Sequence, residues 1–242
     1  MAGHSKWANI RFRKGAQDAK RGKIFTKIIR EITTATRLSG PDEATNPRLR
    51  DAVLKGLKAN MKRDTIDNAI KRGTGDLDGD QMVEMRYEGY GPGGVAILVD
   101  CLSDNKQRTV SDVRHAFTKH QGNLGTDGSV AYLFTQQGEI ILNALNVKEE
   151  EIIDLAITYG ASDIVTESDF IEIITPVGHY HQILQALQTQ KIIIEHAELT
   201  MRAQNQLTLD AEMSTNIIAL IDALEDLDDV QMVYTNADIA NI

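Results

Sequence analysis

Cysteine is almost missing from this chain. Cys101 is the only one in 242 residues. A lone thiol excludes a disulfide within the chain and a cysteine-built zinc site, and such usage fits a reducing compartment. Long apolar runs are missing too: stretches such as Val95–Val99 fall far short of a bilayer span, so no membrane partner is expected. The amino end has no apolar core of a secretory signal. It is basic and acid-poor, as transit peptides are, but it has one serine before Thr26, and its helical pattern runs on into the first apparent domain. It is expected to be part of a mature cytoplasmic protein. No G-x-x-x-x-G-K-[ST] phosphate loop occurs, and no constellation of general acid, base and nucleophile emerges. The expectation is a protein that is not an enzyme and that carries no cofactor and no metal.

Two further scarcities are regional. Acids are rare at the start and cations are rare afterwards. Residues 1–72 hold 18 Lys/Arg and 7 Asp/Glu, whereas residues 73–242 hold 8 and 28; the whole is −9. The densest part is the head, residues 3–37, where Asp18 is the only acid before Glu31. Such polarisation points to a polyanion: Lys and Arg set against phosphates release condensed counterions and give affinity without sequence information. Trp7 and Phe12 lie among the cations, and rings interleaved with positive charge can stack on unpaired bases. A solvated basic helix face would read the same by charge alone; cation density and the two aromatics favour nucleic acid. The candidate contacts are His4, Lys6, Trp7, Arg11, Phe12, Arg13, Lys14, Lys20, Arg21, Lys23, Lys27 and Arg30. The acidic remainder repels phosphate and could face a basic protein, such as a ribosomal protein; solubility alone would also explain it.

Apolar content of 42% and charged content of 25% are those of a globular protein with ordinary cores. Helical spacing predicts a helix over Lys23–Arg37. A second follows Asn46-Pro47 with Leu49, Val53, Leu54 and Leu57 inward, and a third is capped by Asp64 and ended by Gly73. Gly73–Gln81 reads as a linker. Strands are predicted at Met82–Tyr87 and Val95–Leu102, a helix at Gln107–His120, a glycine-bearing loop at Gly122–Gly128 and a strand at Val130–Phe134. From Glu139 to Thr200 the order is β-α-β-β-α-β, the split-βαβ pattern. A helix at Met213–Leu227 and a strand at Val230–Tyr234 close the chain. Neither the piece before the regular module nor the piece after it can close a core comfortably, so the two are expected to complete each other. The expected domains are 1–78, 79–135 with 205–242, and an inserted 136–204.

Gly89-Tyr-Gly91-Pro-Gly93-Gly94 satisfies G-x-G-x-x-G, but a dinucleotide loop must open a helix, and here a β-type run follows. A hairpin loop is expected, with Tyr90, Gly91, Pro92 and Gly93 as a candidate partner contact. Cys101 with His115 or His120 could be imagined as a nucleophile pair, but lone strand cysteines are usually small core residues. His179 and His181, two apart on a helix, point in different directions. Acid pairs such as Asp226–Asp229 read as solvated helix faces.

The opening MAGHSKWANIRFRKGAQDAKRGKIFTKIIREI, the stretch YEGYGPGGVAILVD, the following DNKQRT with DVRHAF, and GNLGTDGSVAYLF resemble the YebC family over essentially the full length. The resemblance implies an α+β fold of three domains: an N-terminal three-helix bundle and two ferredoxin-like α/β domains, the middle one discontinuous. It also implies a DNA-binding transcriptional regulator. A mitochondrial relative is a translational activator of cytochrome c oxidase subunit I, and bacterial relatives are linked to the ribosome and to relief of stalling. The implied partner is therefore DNA or ribosomal RNA, and the family supplies no catalytic residues. An enzyme with a small ligand between the α/β domains, rimmed by Gly89–Gly94, is the lower-ranked alternative.

Overall fold

The computed structural model describes residues 21–75 and 82–238, with Arg21 and Gly22 in backbone only, and among the described residues three helices precede the first strand. They are α1 (Arg21–Ser39), α2 (Pro47–Lys58) and α3 (Arg63–Thr74). Asn46 explains why α1 stops and α2 starts where they do. Its Oδ1 accepts from the Leu49 amide at 3.0 Å, and its buried Nδ2 donates to the carbonyls of Ala35 and Gly40, both at 2.8 Å. Gly40 at φ 88° supplies the left-handed residue that ends α1, and Pro47 opens α2. The bundle core is Ile32, Ala35, Leu49, Ala52, Val53, Met61, Ile66 and Ala69.

Leu54 and Leu57, expected inward, are instead 42% and 43% exposed. Small residues choose the face of α2. At about 100° per residue, Val53 and Gly56 lie within about 40° of Leu49, whereas Leu57 and Leu54 are about 80° and 140° away. Gly56 lets the helix approach Ile28 and Ile66, where a Cβ would sit 3.3–3.4 Å from their methyl groups. Asp64 does not cap α3. Lys62 occupies the cap position and makes no side-chain cap bond, and Asp64 lies in the first turn.

The next strands form a hairpin. β1 (Val83–Tyr90) and β2 (Ala96–Ser103) pair antiparallel, Tyr90 opposite Ala96 and Val83 opposite Ser103. With β3 (Asn123–Leu124) and β9 (Val230–Thr235) they make a sheet of order β3-β1-β2-β9. α4 (Lys106–Lys119) is capped by Asn105 and buries Val113 and Phe117. α7 (Ala211–Glu225) buries Ile217, Leu220, Ile221 and Leu224. β9 thus returns to a sheet begun more than a hundred residues earlier in the chain. The bundle and most of this sheet and of α7 fall in one compact unit, 21–130 with Thr215–Val233.

The second unit comprises Ala131–Ser214 and 234–238. Its order is β4 (Phe134–Asn143), α5 (Glu149–Thr158), β5 (Asp163–Thr166), β6 (Phe170–Thr175), α6 (Val177–Thr189) and β7 (Ile194–Ala203). The sheet is antiparallel throughout, β5-β6-β4-β7. Alternation sends Ile140, Leu142, Ile171 and Ile173 to one core with Ile152, Leu155, Tyr180, Ile183 and Leu187 of the two helices. β8 (Leu207–Thr208) and β10 (Ala237–Asp238) form a short parallel pair. The strand expected at Val130–Phe134 is a 3-10 turn at Ala131–Leu133, after which β4 runs unbroken from Phe134.

Candidate nucleic-acid interface

His4, Lys6, Trp7, Arg11, Phe12, Arg13, Lys14 and Lys20 lie outside the described residues, and Arg21 is described by its place at the start of α1. Lys23, Lys27 and Arg30 are described in full, and all three reach the C-terminal end of α7. The Lys23 Nζ donates to the Asp226 carbonyl at 2.9 Å and stands 3.8 Å from its carboxylate. The Lys27 Nζ donates to the Glu225 carbonyl at 2.7 Å. The Arg30 Nη1 donates to the Asp228 carbonyl at 2.7 Å and to the Asp229 carboxylate at 2.9 Å. Positions i, i+4 and i+7 share one face of a helix. The last carbonyls of a helix lack intrahelical partners and carry its negative pole, so cations are favoured there. Burial lowers the Lys27 pKa, although Glu225, Asp226 and Asp228 oppose the shift.

Asp229 is the centre of this contact. It is 6% exposed and was expected on a solvated helix face. Its carboxylate accepts from Thr109 Oγ1 at 2.9 Å, Arg108 Nη2 at 3.0 Å, Ser103 Oγ at 3.0 Å and Arg30. Burial alone would raise its pKa; the hydrogen bonds from Thr109, Arg108, Ser103 and Arg30 outweigh burial and hold it below the ordinary carboxylate value. Arg108 also pairs with Asp104 at 2.9 Å. An open cleft of about 520 Å³ runs over these groups, lined by Lys23, Arg30, Asp104, Arg108, Asp226 and Asp229 among others. Its three cations are already answered, Lys23 by Asp226, Arg30 by Asp229, and Arg108 by Asp104 and Asp229. The sequence did carry a signal: acids directly after a helix end, as in LEDLDD, oppose the dipole unless cations from elsewhere compensate.

The glycine loop is a hairpin turn. Pro92–Gly94 form a 3-10 turn between two strands, with Gly93 at φ 70° and Gly94 at φ 77°. Gly93 and Gly94 are exposed at its tip, whereas Gly91 is buried: a Cβ there would lie 2.7 Å from Ile217 Cδ1. The Tyr90 hydroxyl donates to the Ser129 carbonyl at 2.8 Å. Cys101 is buried, and its thiol is pushed up to about 12, first by burial and then by Asp100 and Asp229. His179 Nδ1 lies 3.0 Å from the Gly160 carbonyl, while His181 packs edge-on against Tyr180 at 5.0 Å. Among the described residues no group of three or more His, Cys, Asp or Glu is arranged to hold a metal ion, and no helix is long and apolar enough to cross a membrane.

Residues 5–76 match the family description "TACO1/YebC protein N-terminal domain", and residues 82–237 match "TACO1/YebC second and third domain". The chain belongs to the TACO1/YebC family. A "Probable transcriptional regulatory protein" of Legionella pneumophila is 67% identical over 240 residues, covering 99% of this chain and 97% of the relative. Another of that name from Idiomarina loihiensis is 55% identical over 242 residues, covering 100% of this chain and 97% of the relative. A crystal structure of a conserved hypothetical protein from Aquifex aeolicus superposes with a TM-score of 0.81 at 46% identity, covering 91% of each chain. The TACO1/YebC N-terminal match takes in most of the basic head together with the bundle, and the relatives' names describe regulators of transcription.

Proposed function

We propose that this TACO1/YebC protein is a non-enzymatic regulator of gene expression that binds nucleic acid through its basic head. The observation that carries the reading is the charge split, 18 cations against 7 acids in residues 1–72 and the reverse excess beyond. The relatives' names support transcription as the process. In this reading the basic head of the 1–78 domain grips phosphate, with His4, Lys6, Arg11, Arg13, Lys14, Lys20 and Arg21 as backbone contacts and Trp7 and Phe12 as stacking surfaces. The domains formed by 79–135 with 205–242 and by 136–204 keep phosphate off the rest of the molecule and leave an acidic face for basic proteins. A thiol held near 12 and buried is no nucleophile, which supports a non-catalytic role.

One observation favours a second reading, a translation factor on ribosomal RNA. Lys23, Lys27 and Arg30 are already held by the end of α7, so that stretch of helix is not free to lie in a major groove and read base edges. Backbone and shape recognition, which suits structured RNA, is then enough.

A salt titration tests the reading. Binding to a DNA duplex or an RNA hairpin should weaken steeply with salt, and Arg11→Ala/Arg13→Ala/Lys14→Ala should reduce the log–log slope by about one unit per lost phosphate contact. A triple variant with the wild-type slope would remove the head from the interface.

A further inference from the structure

The cations of the helical bundle fall into two sets. Lys23, Lys27 and Arg30 hold the end of α7; Arg48 pairs with Glu31 and Glu84; Arg63 pairs with Glu43 and Asp67; Arg50 donates to the Glu43 carbonyl. Arg37, Lys55, Lys58, Lys62, Lys71 and Arg72 are exposed, and their side chains meet no acceptor among the described residues.

The unpaired cations occupy two ends. Gly56 of α2 packs on Ile28, in the first half of α1, and Gly73 of α3 packs on Thr33 and Thr36, near its finish. The turn after α2 is closed by the Met61 amide donating to the Gly56 carbonyl at 2.9 Å, with Asn60 at φ 59°. Lys55, Lys58 and Lys62 therefore gather at the corner beside the beginning of α1, and Arg37, Lys71 and Arg72 at the opposite end. The corner also carries Leu54 and Leu57, side chains left outside the core. One turn of helix thus shows two lysines and two leucines to solvent, with a third lysine just beyond. Asp64, in the first turn of α3, is the exposed acid nearest in sequence to Lys62.

We infer that the α2–α3 corner is a second nucleic-acid contact: Lys55, Lys58 and Lys62 meet phosphates, and Leu54 and Leu57 lie against sugar and base faces. This rests on the nucleic-acid reading and extends it to residues outside the head. Continuity is the reason to prefer nucleic acid over an acidic protein. The cation-rich stretch enters α1 at this same end, so head and corner can follow one phosphate backbone. Other cations of the bundle are engaged in holding its elements, whereas the side chains of those at the corner meet no acceptor among the described residues. Two-point attachment raises affinity through the effective concentration of the second point.

The full chain is titrated with KCl against a fluorescent DNA duplex and an RNA hairpin, using three variants. Lys55→Ala/Lys58→Ala/Lys62→Ala should lower the slope by about two to three units and weaken binding at least tenfold on the probe that resembles the natural target. Lys71→Ala/Arg72→Ala removes charge from the far end, outside the head, and should leave slope and affinity near wild type. Circular dichroism should be unchanged in both, since alanine favours helix at these exposed positions. If the corner variant binds as wild type while Arg11→Ala/Arg13→Ala/Lys14→Ala is impaired, the corner is overturned and the head survives. Equal losses per removed charge in corner and far-end variants would reduce the effect to net charge and also overturn it. A wild-type chain that binds neither probe in a salt-dependent way would overturn both this inference and the function proposed above.

Discussion

Asp229 is a buried carboxylate that answers two arginines, a serine and a threonine at once. Removing it takes from Arg30 and Arg108 the buried carboxylate they share, leaving Arg30 a carbonyl and Arg108 the exposed Asp104, a different situation from deleting an exposed salt bridge. Asp229→Ala should destabilise the chain by about 3 kcal/mol in urea unfolding at neutral pH, the low end for a broken buried pair because Arg108 is half-exposed and water can reach it. Asp229→Asn keeps the shape and tests the charge. Because its folded pKa lies below the ordinary 3.8, the stabilisation is complete above that value and is lost as pH falls through the lower folded value. The gap between wild type and Asp229→Asn should be constant around neutrality and should shrink below pH 3.8. A gap that widened on acidification would mean the carboxylate is not the stabilised form. A double-mutant cycle with Arg30→Ala should give a coupling of about 0.5–3 kcal/mol, as expected for residues in one network.

The bundle depends on close approach between helices, and glycine permits it. A Cβ at Gly73 would stand 2.6 Å from Thr36 Cβ and 2.7 Å from the Thr33 carbonyl, so α3 could not keep its distance from α1. By propensity alone Gly73→Ala should stabilise a helix by about 1 kcal/mol. Overpacking opposes this, and we expect a net loss of about 1–3 kcal/mol in thermal or urea unfolding. A gain would show that α3 shifts freely. This tension explains which elements can be read from sequence. Helix and strand order was legible because apolar residues recur at 3.6 and 2 residues, and the β-α-β-β-α-β run was clear for that reason. The face of α2 was not, because Leu54 and Leu57 outweigh Ala52 and Gly56 by hydropathy while the small residues decide the approach. The start of β4 was missed because apolar Val130 and Tyr132 look strand-like in a segment that forms a 3-10 turn. Asp229 escaped because its partners Ser103, Arg108 and Arg30 are over a hundred residues away, and no periodicity reports such a contact.

At the scale of the whole molecule, positive charge does two physically different jobs. One set of cations is turned inward on the carbonyls and carboxylates at the end of α7, partly shielded from solvent. Another set faces water, and in the proposed function it exchanges counterions for phosphates. Salt separates them. Mobile ions screen exposed charges beyond a Debye length of about 10 Å at 0.1 M, but act far less on buried pairs at contact distance. Raising salt from about 50 to 200 mM should therefore weaken nucleic-acid binding by about 10³-fold or more for a footprint of six or more phosphates. The same change should move the unfolding midpoint only slightly, because the Asp229 network holds the bundle on the sheet by short hydrogen bonds. Anisotropy titrations and thermal scans in matched buffers make the comparison. A melting temperature that fell in step with affinity would mean that one set of cations does both jobs, and that binding nucleic acid competes with the grip of α1 on α7.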